Sequence, residues 1–310
     1  MESIEQHRSL YIFGASGYLL SRVLLDIAPR YENVIAYIRS AESLPLIVPE
    51  RVKIICESFP HKNVIIDSQC DVIWGVGSSS HVWEHNACEG CELLSHSIHL
   101  LTRLVKNKRV RLIYLSSVKV FGNDYVPLDD DRCTRSYSPD NAYGASHMLM
   151  EEFLKSLSIL ESNLSIVVIR LPSVFGFSNC NFEKLKGPLV NSLIMESIKT
   201  SEIEIENPLT IREFKPISEV SQDILGVVNN FGYHDSKFLT KELDGCRLNL
   251  ATLGKIIAQI GALNTGKEFS LHLSGSKERI GPNIAANDLI NVPDRLIFSI
   301  HEMFEKLAQK

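Results

Sequence analysis

Six short runs of nearly unbroken apolar residues constrain the fold more than any other feature of this sequence. They are SLYIFG (9–14), NVIAYIR (33–39), RVKIIC (51–56), CDVIWGVG (70–77), RLIYLSS (111–117) and SIVVIRL (165–171). A strand that is apolar at nearly every position is buried on both faces, as the strands of a parallel sheet are. Between the runs lie amphipathic stretches with helical spacing, notably SRVLLDIAPR, CELLSHSIHLLTRLVKN and YGASHMLMEEFLKSLSIL. Strand and helix in alternation predict an α/β chain with a doubly wound parallel sheet.

The first strand runs directly into YIFGASGYLLS, which puts Gly14 and Gly17 between a strand and a helix. Glycines there permit a tight turn and close approach of the backbone to a pyrophosphate, while the helix N-terminus offers amides and a positive dipole end. The turn residues Gly14, Ser16, Gly17, Tyr18 and Leu19 are therefore expected to hold a dinucleotide; the alternative is an ordinary strand-to-helix turn. The third position of such a fingerprint, normally glycine, is Leu20, which is expected to push the helix slightly away from the strand. The second strand ends AYIRS. An NAD site usually has a carboxylate here for the ribose 2′-hydroxyl. Arg39 and Ser40 suit a 2′-phosphate instead, so NADP is favoured over NAD, unless Arg39 is simply a solvated strand end. Glu57, after the third strand, is a candidate adenine contact, and Gly75, after the fourth, a further backbone position at the cofactor.

After Gly176 the rhythm changes. A helical GPLVNSLIMESIKT is followed by REFKPISEVSQDILGVV and then by mixed segments up to a final helix, VPDRLIFSIHEMFEKLAQK. Residues 1–176 read as a dinucleotide-binding domain to which 210–235 returns, and 177–209 with 236–310 as a smaller substrate lobe. Without repeats, low-complexity tracts or linkers, the lobes are expected to pack around a cleft. The net charge of −5 gives no reason to expect nucleic acid or an anionic membrane as a partner. No apolar run approaches the roughly 20 residues of a membrane span. The start, MESIEQHRSL, is polar where a signal peptide is basic and then apolar. Seven cysteines, an odd number scattered through strands and helices, suit free thiols in a reducing cytoplasm.

Five stretches in order carry a family likeness: FGASGYLL, LIYLSSVKVFG (112–122), NAYGASHMLMEE (141–152), VIRLPSVFG (168–176) and REFKPISEV (212–220). They resemble, in turn, the glycine-rich turn, the strand ending in the active-site serine, the Tyr-x-x-x-Lys helix, the Arg-x-x-Asn-x-Tyr-Gly stretch and the Arg-Asp-Phe-x-x-Val-x-Asp segment of the extended short-chain dehydrogenases/reductases, the NAD-dependent nucleotide-sugar epimerase/dehydratase group. The resemblance covers nearly the whole chain. It implies a Rossmann-type sheet with a smaller C-terminal substrate lobe, an NAD or NADP cofactor, a nucleotide-linked sugar as substrate and a homodimer paired through the helices at 84–106 and 143–162. It makes Ser117, Tyr143 and His147 the catalytic positions, with Tyr143 and His147 also at the cofactor, and puts Ser117, Ser173 and Arg212 at the substrate; Ser79 is a substrate candidate from its place after the fourth strand, where substrate hydroxyls would approach. Arg212 suits a nucleotide diphosphate through its bidentate fork, or else forms a structural ion pair. No metal is implied. This sequence departs from the family at the lysine, now His147, at the third glycine, now Leu20, at the substrate-side asparagine, now Ser173, and at WGVGSSS (74–80), which replaces His-Leu-Ala-Ala.

In the family, the tyrosine exchanges a proton with the substrate oxygen while hydride moves to or from the nicotinamide. The lysine holds the nicotinamide ribose, and its charge lowers the tyrosine pKa. A cation at about 4–5 Å is worth on the order of 3–4 kcal/mol at an effective dielectric near 20, or roughly two to three pKa units. Histidine is mostly neutral at pH 7: it donates a hydrogen bond to the ribose but brings little charge. Tyr143 then keeps its proton, which preserves general-acid reduction of a ketone better than reactions that begin by deprotonating a hydroxyl. The leading expectation is a keto-sugar reductase, with an epimerase or dehydratase next. The alternative of another class is a catalytically silent dinucleotide-binding protein in which Tyr143 and His147 merely pack one turn apart. The histidines and the Cys88/Cys91 pair in HVWEHNACEGCELLSHSIH (81–99) lack the second cysteine pair usual at zinc sites and read as a helix face.

Overall fold

A computed structural model of the protein describes residues 8–61, 64–122, 136–231, 237–274, 276–281 and 292–308. The first residues of the polar start (1–7), the end of the 210–235 segment (232–235) and the last two residues of the final helix (309–310) lie outside the described residues.

In chain order the first elements are β1 (Ser9–Phe13), α1 (Tyr18–Ile27), β2 (Asn33–Ile38), β3 (Val52–Cys56), β4 (Gln69–Trp74), α2 (Ser80–His85), α3 (Ala87–Val105), β5 (Arg109–Ser117), α4 (Ala142–Leu160) and β6 (Leu164–Leu171). There follow β7 (Ser173–Phe175), α5 (Phe182–Leu185), α6 (Leu189–Thr200), β8 (Glu202–Ile205), β9 (Ile211–Pro216) and α7 (Ile217–Asn230). The last are β10 (Phe238–Glu242), β11 (Cys246–Asn249), α8 (Leu250–Thr265), β12 (Phe269–Leu273), β13 (Ser276–Ile280) and α9 (Asp294–Ala308). Two compact units result: Met1–Leu171 with Asp223–Leu243, and Pro172–Gln222 with Asp244–Lys310.

The first unit is a Rossmann-type α/β fold. Its seven strands lie in the order β10-β6-β5-β4-β1-β2-β3, every neighbouring pair parallel. The apolar runs explain it: β1 is buried throughout, and β5 is buried from Val110 to Ser117, so both sheet faces must be covered. Phe13, Tyr37, Trp74, Leu112 and Ile166 pack with Met150 and Leu154 of α4 and Leu101 of α3 in one apolar cluster. The strand order reverses between β1 and β4, so a crevice opens beyond their carboxyl ends, where α/β sheets bind ligands.

This sheet also carries a buried ionic group that the apolar pattern hides. Arg111 on β5 donates from Nε to Asp71 on β4 at 3.0 Å and forms an ion pair with it through Nη2. Tyr31 donates to the same carboxylate at 2.5 Å. Nη1 of Arg111 reaches the carbonyls of Val228 (2.7 Å) and Phe231 (2.5 Å) at the end of α7, so the guanidinium caps a helix C-terminus whose carbonyls lack intrahelical donors.

The second unit holds two small sheets, β11-β9-β7 and β13-β12-β8, with α8 buried along most of its length. The segment expected to rejoin the main sheet, 210–235, adds no strand to it among the described residues and returns to the first unit only from Asp223, within α7. Its strand β9 pairs with β11 and β7, and the strand that joins the large sheet is β10, beside β6. Arg212 and Glu213 make β9 too polar for a position inside the parallel sheet. The long helix anticipated at 84–106 is broken at Asn86, which ends α2 and caps α3, its side chain accepting from Glu89 N at 3.3 Å.

Candidate functional site

The carboxyl ends of β1, β4 and β5 bring together the positions singled out in the first unit. Gly14 has φ +83°, and a Cβ there would lie 2.9 Å from the Gly75 carbonyl oxygen; at Gly17 it would lie 3.0 Å from the Gly14 carbonyl oxygen. The two turns after β1 and β4 thus meet through backbone alone, tied by Gly75 N donating to Phe13 O at 3.0 Å. Gly17 starts α1 with no side chain to cap it and with no acidic residue in the first turn, which leaves the first-turn region of Tyr18 and Leu19 suited to an anion. Ser16 is buried and accepts from Ser43 at 3.3 Å, while Ser40 lies 3.4 Å from the same Ser43 hydroxyl. Ser43, absent from the sequence reading, therefore links the glycine turn to the loop after β2. Arg39 and Ser40 are exposed there. Glu57 is half-buried, its backbone N–H bonded to Ile38 O at 3.1 Å and its carboxylate 3.9 Å from His61.

Leu20 packs against Gly75. Its side chain is buried, and a Cβ on residue 75 would meet Leu20 Cδ1 at 2.4 Å. The bulk added at one position is offset by the hydrogen at the other, so room is made at residue 75.

Ser117 ends β5, buried, its hydroxyl accepting from Lys119 N at 3.2 Å. Tyr143 stands in the first turn of α4, capped by Asn141, whose side chain accepts from Gly144 N at 2.8 Å. That turn lies against the backbone after β5: a Cβ at Gly144 would sit 2.3 Å from the Lys119 carbonyl oxygen. This approach, possible only for glycine, sets the first turn of α4, and Tyr143 with it, beside the end of β5 that carries Ser117. Burial raises the Tyr143 pKa above its ordinary value, and the nearby Ser117 hydroxyl opposes that rise only in part. His147 lies one turn on, its ring edge-to-face with Tyr143 at 4.7 Å between centroids. It is buried, and burial lowers its pKa to about 4 against the opposing charge of Glu151. The site thus pairs a protonated phenol with a neutral imidazole.

Two supports lie beneath the pair: Tyr114, which reads in sequence as one more apolar-run residue, and Glu151, which fits the family's helix motif but shows its partners only in the structure. Tyr114 on β5 meets His147 Nδ1 at 2.7 Å. Glu151, fully buried, accepts from Ser116 (2.5 Å), Tyr137 (2.8 Å) and Arg170 (2.6 Å) and ties α4 to β5 and β6. Of the other expected positions, Ser79 is exposed and caps α2, accepting from Val82 N at 3.4 Å. In the second unit Ser173 starts β7 and pairs with Phe214 of β9, and Arg212 on β9 pairs with Leu248. No carboxylate partners Arg212 among the described residues; its Nε is buried without a hydrogen bond, and burial lowers its pKa. Cys88 and Cys91 are exposed thiols on α3. Among the described residues no three His, Cys, Asp or Glu side chains group closely enough to hold a metal ion, and no helix is long and apolar enough to cross a membrane.

The sequence matches the model of the NAD dependent epimerase/dehydratase family over residues 10–220. No curated protein matches it in sequence. Among solved structures it is similar to a UDP-N-acetylglucosamine 4-epimerase from Methanobrevibacter ruminantium in complex with UDP-N-acetylmuramic acid. That match has a TM-score of 0.75 and 16% identity and covers 98% of this chain and 100% of that one. A UDP-glucuronic acid 4-epimerase from Bacillus cereus, in complex with UDP-glucuronic acid and NAD, matches with a TM-score of 0.70 and 12% identity, covering 97% and 99%. An NAD dependent NDP-hexosamine 5,6-dehydratase involved in tunicamycin biosynthesis matches at 0.69 and 16%, covering 98% of each chain. At these identities the likeness is one of fold.

Proposed function

The chain belongs to the NAD dependent epimerase/dehydratase family, and on that premise we propose that it is a nicotinamide-dinucleotide-dependent enzyme of the epimerase/dehydratase class acting on a nucleotide-linked sugar. The observation that carries the reading is the convergence of Ser117 and Tyr143 at the carboxyl end of β5, where the serine hydroxyl is near enough to lower the pKa of the phenol. A hydroxyl from a strand end and a phenol from a separate helix converge where a substrate oxygen can be held and its proton exchanged.

The residues fit the cofactor. The glycines let the turns after β1 and β4 close on one another, since a Cβ at Gly14 would press on the Gly75 carbonyl oxygen, and the uncapped start of α1 suits a pyrophosphate, held in this reading by Gly14, Ser16, Gly17, Tyr18 and Leu19. Glu57 serves the adenine. Arg39 and Ser40, exposed at the end of β2, support a 2′-phosphate and so NADP, although structures of similar fold hold NAD. When bound, the dinucleotide supplies the reversible two-electron chemistry. Ser117 orients the sugar oxygen, Tyr143 gives or takes its proton, and His147 binds the ribose as a neutral donor. The unpartnered guanidinium of Arg212 supports a diphosphate in the substrate, and Ser173 and Ser79 are proposed to bind substrate hydroxyls.

A keto-sugar reductase is the second reading, favoured by the raised pKa of Tyr143 and the lowered one of His147, which keep the general acid charged with its proton. The family match supports the epimerase/dehydratase class more directly. Exposed Leu149, Ile159 and Leu160 on α4 support a homodimer, checked by mass in solution, and the free thiols support a reducing, cytoplasmic setting.

The test is to titrate NADH and NADPH by fluorescence and to incubate the protein with UDP-hexoses, UDP-hexuronic acids and 4-keto nucleotide sugars, following products by NMR. Turnover of a UDP-sugar that falls by at least about 10²-fold in Tyr143→Phe is expected. Turnover confined to keto sugars selects the second reading. Cofactor binding without turnover of either class would leave a silent binding protein and overturn both.

A further inference from the structure

We propose that Tyr114 is a positioning residue that fixes the tautomer of His147, so that a neutral imidazole presents a single N–H, at Nε2, in place of a lysine ammonium. The proposal deepens the cofactor-binding reading above and rests on it for its consequence, though not for its geometry.

The Tyr114 hydroxyl and His147 Nδ1 are 2.7 Å apart, both side chains buried, the ring centroids 5.9 Å apart. A neutral imidazole has one donor and one acceptor nitrogen, and the tautomer is set by the partner of one of them. Were Nδ1 the donor, the phenol proton of Tyr114 would need an acceptor elsewhere. His147 is the one hydrogen-bond partner of that hydroxyl among the described residues. The phenol proton therefore goes to Nδ1, because a buried donor left without an acceptor is the costlier state, and the imidazole hydrogen moves to Nε2. The charged and titratable groups around the pair favour the same state. Tyr143 and Glu151 raise the Tyr114 pKa beyond what burial alone does, and burial outweighs Glu151 at His147. Space is restricted too: the cavity bordered by Tyr114, His147, Ser146, Ser78 and Trp83 is about 20 Å³, room for one water, so the ring has no open volume into which to flip.

The consequence is a rigid donor. A lysine offers three rotatable donors and a charge; His147 offers one donor, with its direction set by a residue on β5 that touches neither substrate nor cofactor in this reading.

The experiment is a long-range proton–nitrogen correlation spectrum of the full chain labelled with ¹⁵N-histidine, without cofactor, with His147 assigned by the resonance lost in His147→Gln. The wild type is expected to show the Nε2–H pattern, with the other tautomer below a tenth of the population. Tyr114→Phe is expected to show averaging of both tautomers and a five- to tenfold weaker NADH or NADPH affinity. In a His147→Lys background, where there is no tautomer to fix, Tyr114→Phe should change that affinity less than twofold. An Nδ1–H pattern in the wild type overturns the proposal, and this measurement needs no variant of Tyr114 to fold. An unchanged pattern in Tyr114→Phe, or an equal affinity loss in the lysine background, overturns it also. A fixed Nε2–H pattern that is lost in Tyr114→Phe, with no NADH or NADPH binding by either protein, upholds the tautomer assignment and overturns the cofactor reading instead.

Discussion

Acidification should destabilise this protein through His147, by an amount that follows from its burial. Its folded pKa is about 4, against about 6.5 for an exposed histidine. Depression means that the folded state refuses a proton that the unfolded chain accepts. Stability is therefore fully present above pH ~6.5, falls as the pH drops through the window between ~6.5 and ~4, and is not lost further below it. Integrating the linkage relation between pH 7 and pH 5 gives a loss of about 2 kcal/mol from this residue, approaching about 3 kcal/mol at the lower end. The assay is urea unfolding at pH 7 and pH 5 for the wild type and for His147→Gln, a side chain that does not titrate yet still offers Tyr114 an acceptor. The difference in pH dependence between the two proteins isolates His147 from other groups, including His61, whose pKa burial also lowers. A wild type and variant that lose stability in parallel, or an imidazole resonance of His147 that titrates near 6.5, would refute the reasoning.

Three further outcomes follow from contacts at the site and beneath it. Gly144→Ala places a Cβ 2.3 Å from the Lys119 carbonyl oxygen, so the first turn of α4 must retreat by about 1 Å. We expect roughly 10²-fold less turnover, since an error of that size in placing a reacting group costs about that much, with about 1–3 kcal/mol lost in urea melts. Gly75→Ala and Leu20→Ala should each destabilise, by about 1–3 and 2–5 kcal/mol, yet the double variant should lose at least about 1 kcal/mol less than their sum because each change makes room for the other; strict additivity would show the two side chains to be independent. Asp71→Ala strands the buried Arg111 guanidinium and should cost about 3–5 kcal/mol by denaturant midpoint, whereas an effect below 1 kcal/mol would mean that water reaches the arginine.

Much of the first unit is legible in the apolar runs, because a strand buried on both faces writes itself into nearly every residue. The glycine turn and the Ser117–Tyr143 pair could be located because their chemistry needs fixed residue types at strand and helix ends. What could not be read is tertiary. Tyr114 sits in RLIYLSS as one more apolar-run residue, and only the packing of α4 on β5 reveals an imidazole above it. Asp71 and Arg111 interrupt two apolar runs without any local sign that they neutralise one another across adjacent strands. At Leu20 a linear pattern shows the residue added and not the glycine it packs against 55 positions later. In the second unit the strands are short and half-polar, so periodicity did not separate β9 from a strand of the main sheet.

Arg111 has a consequence for the order of events during synthesis. Two of its acceptors, the carbonyls of Val228 and Phe231, emerge more than 100 residues after it, and the strand that covers β6 comes later still. A nascent chain that has just finished β6 holds six strands, an exposed edge and a guanidinium that has Asp71 but still lacks the two carbonyls its Nη1 bonds. Such an intermediate is prone to stick to its neighbours, and a gene fragment cut at residue 171 should yield aggregates, because the first unit is sealed by peptide made about 60 to 70 residues after β6.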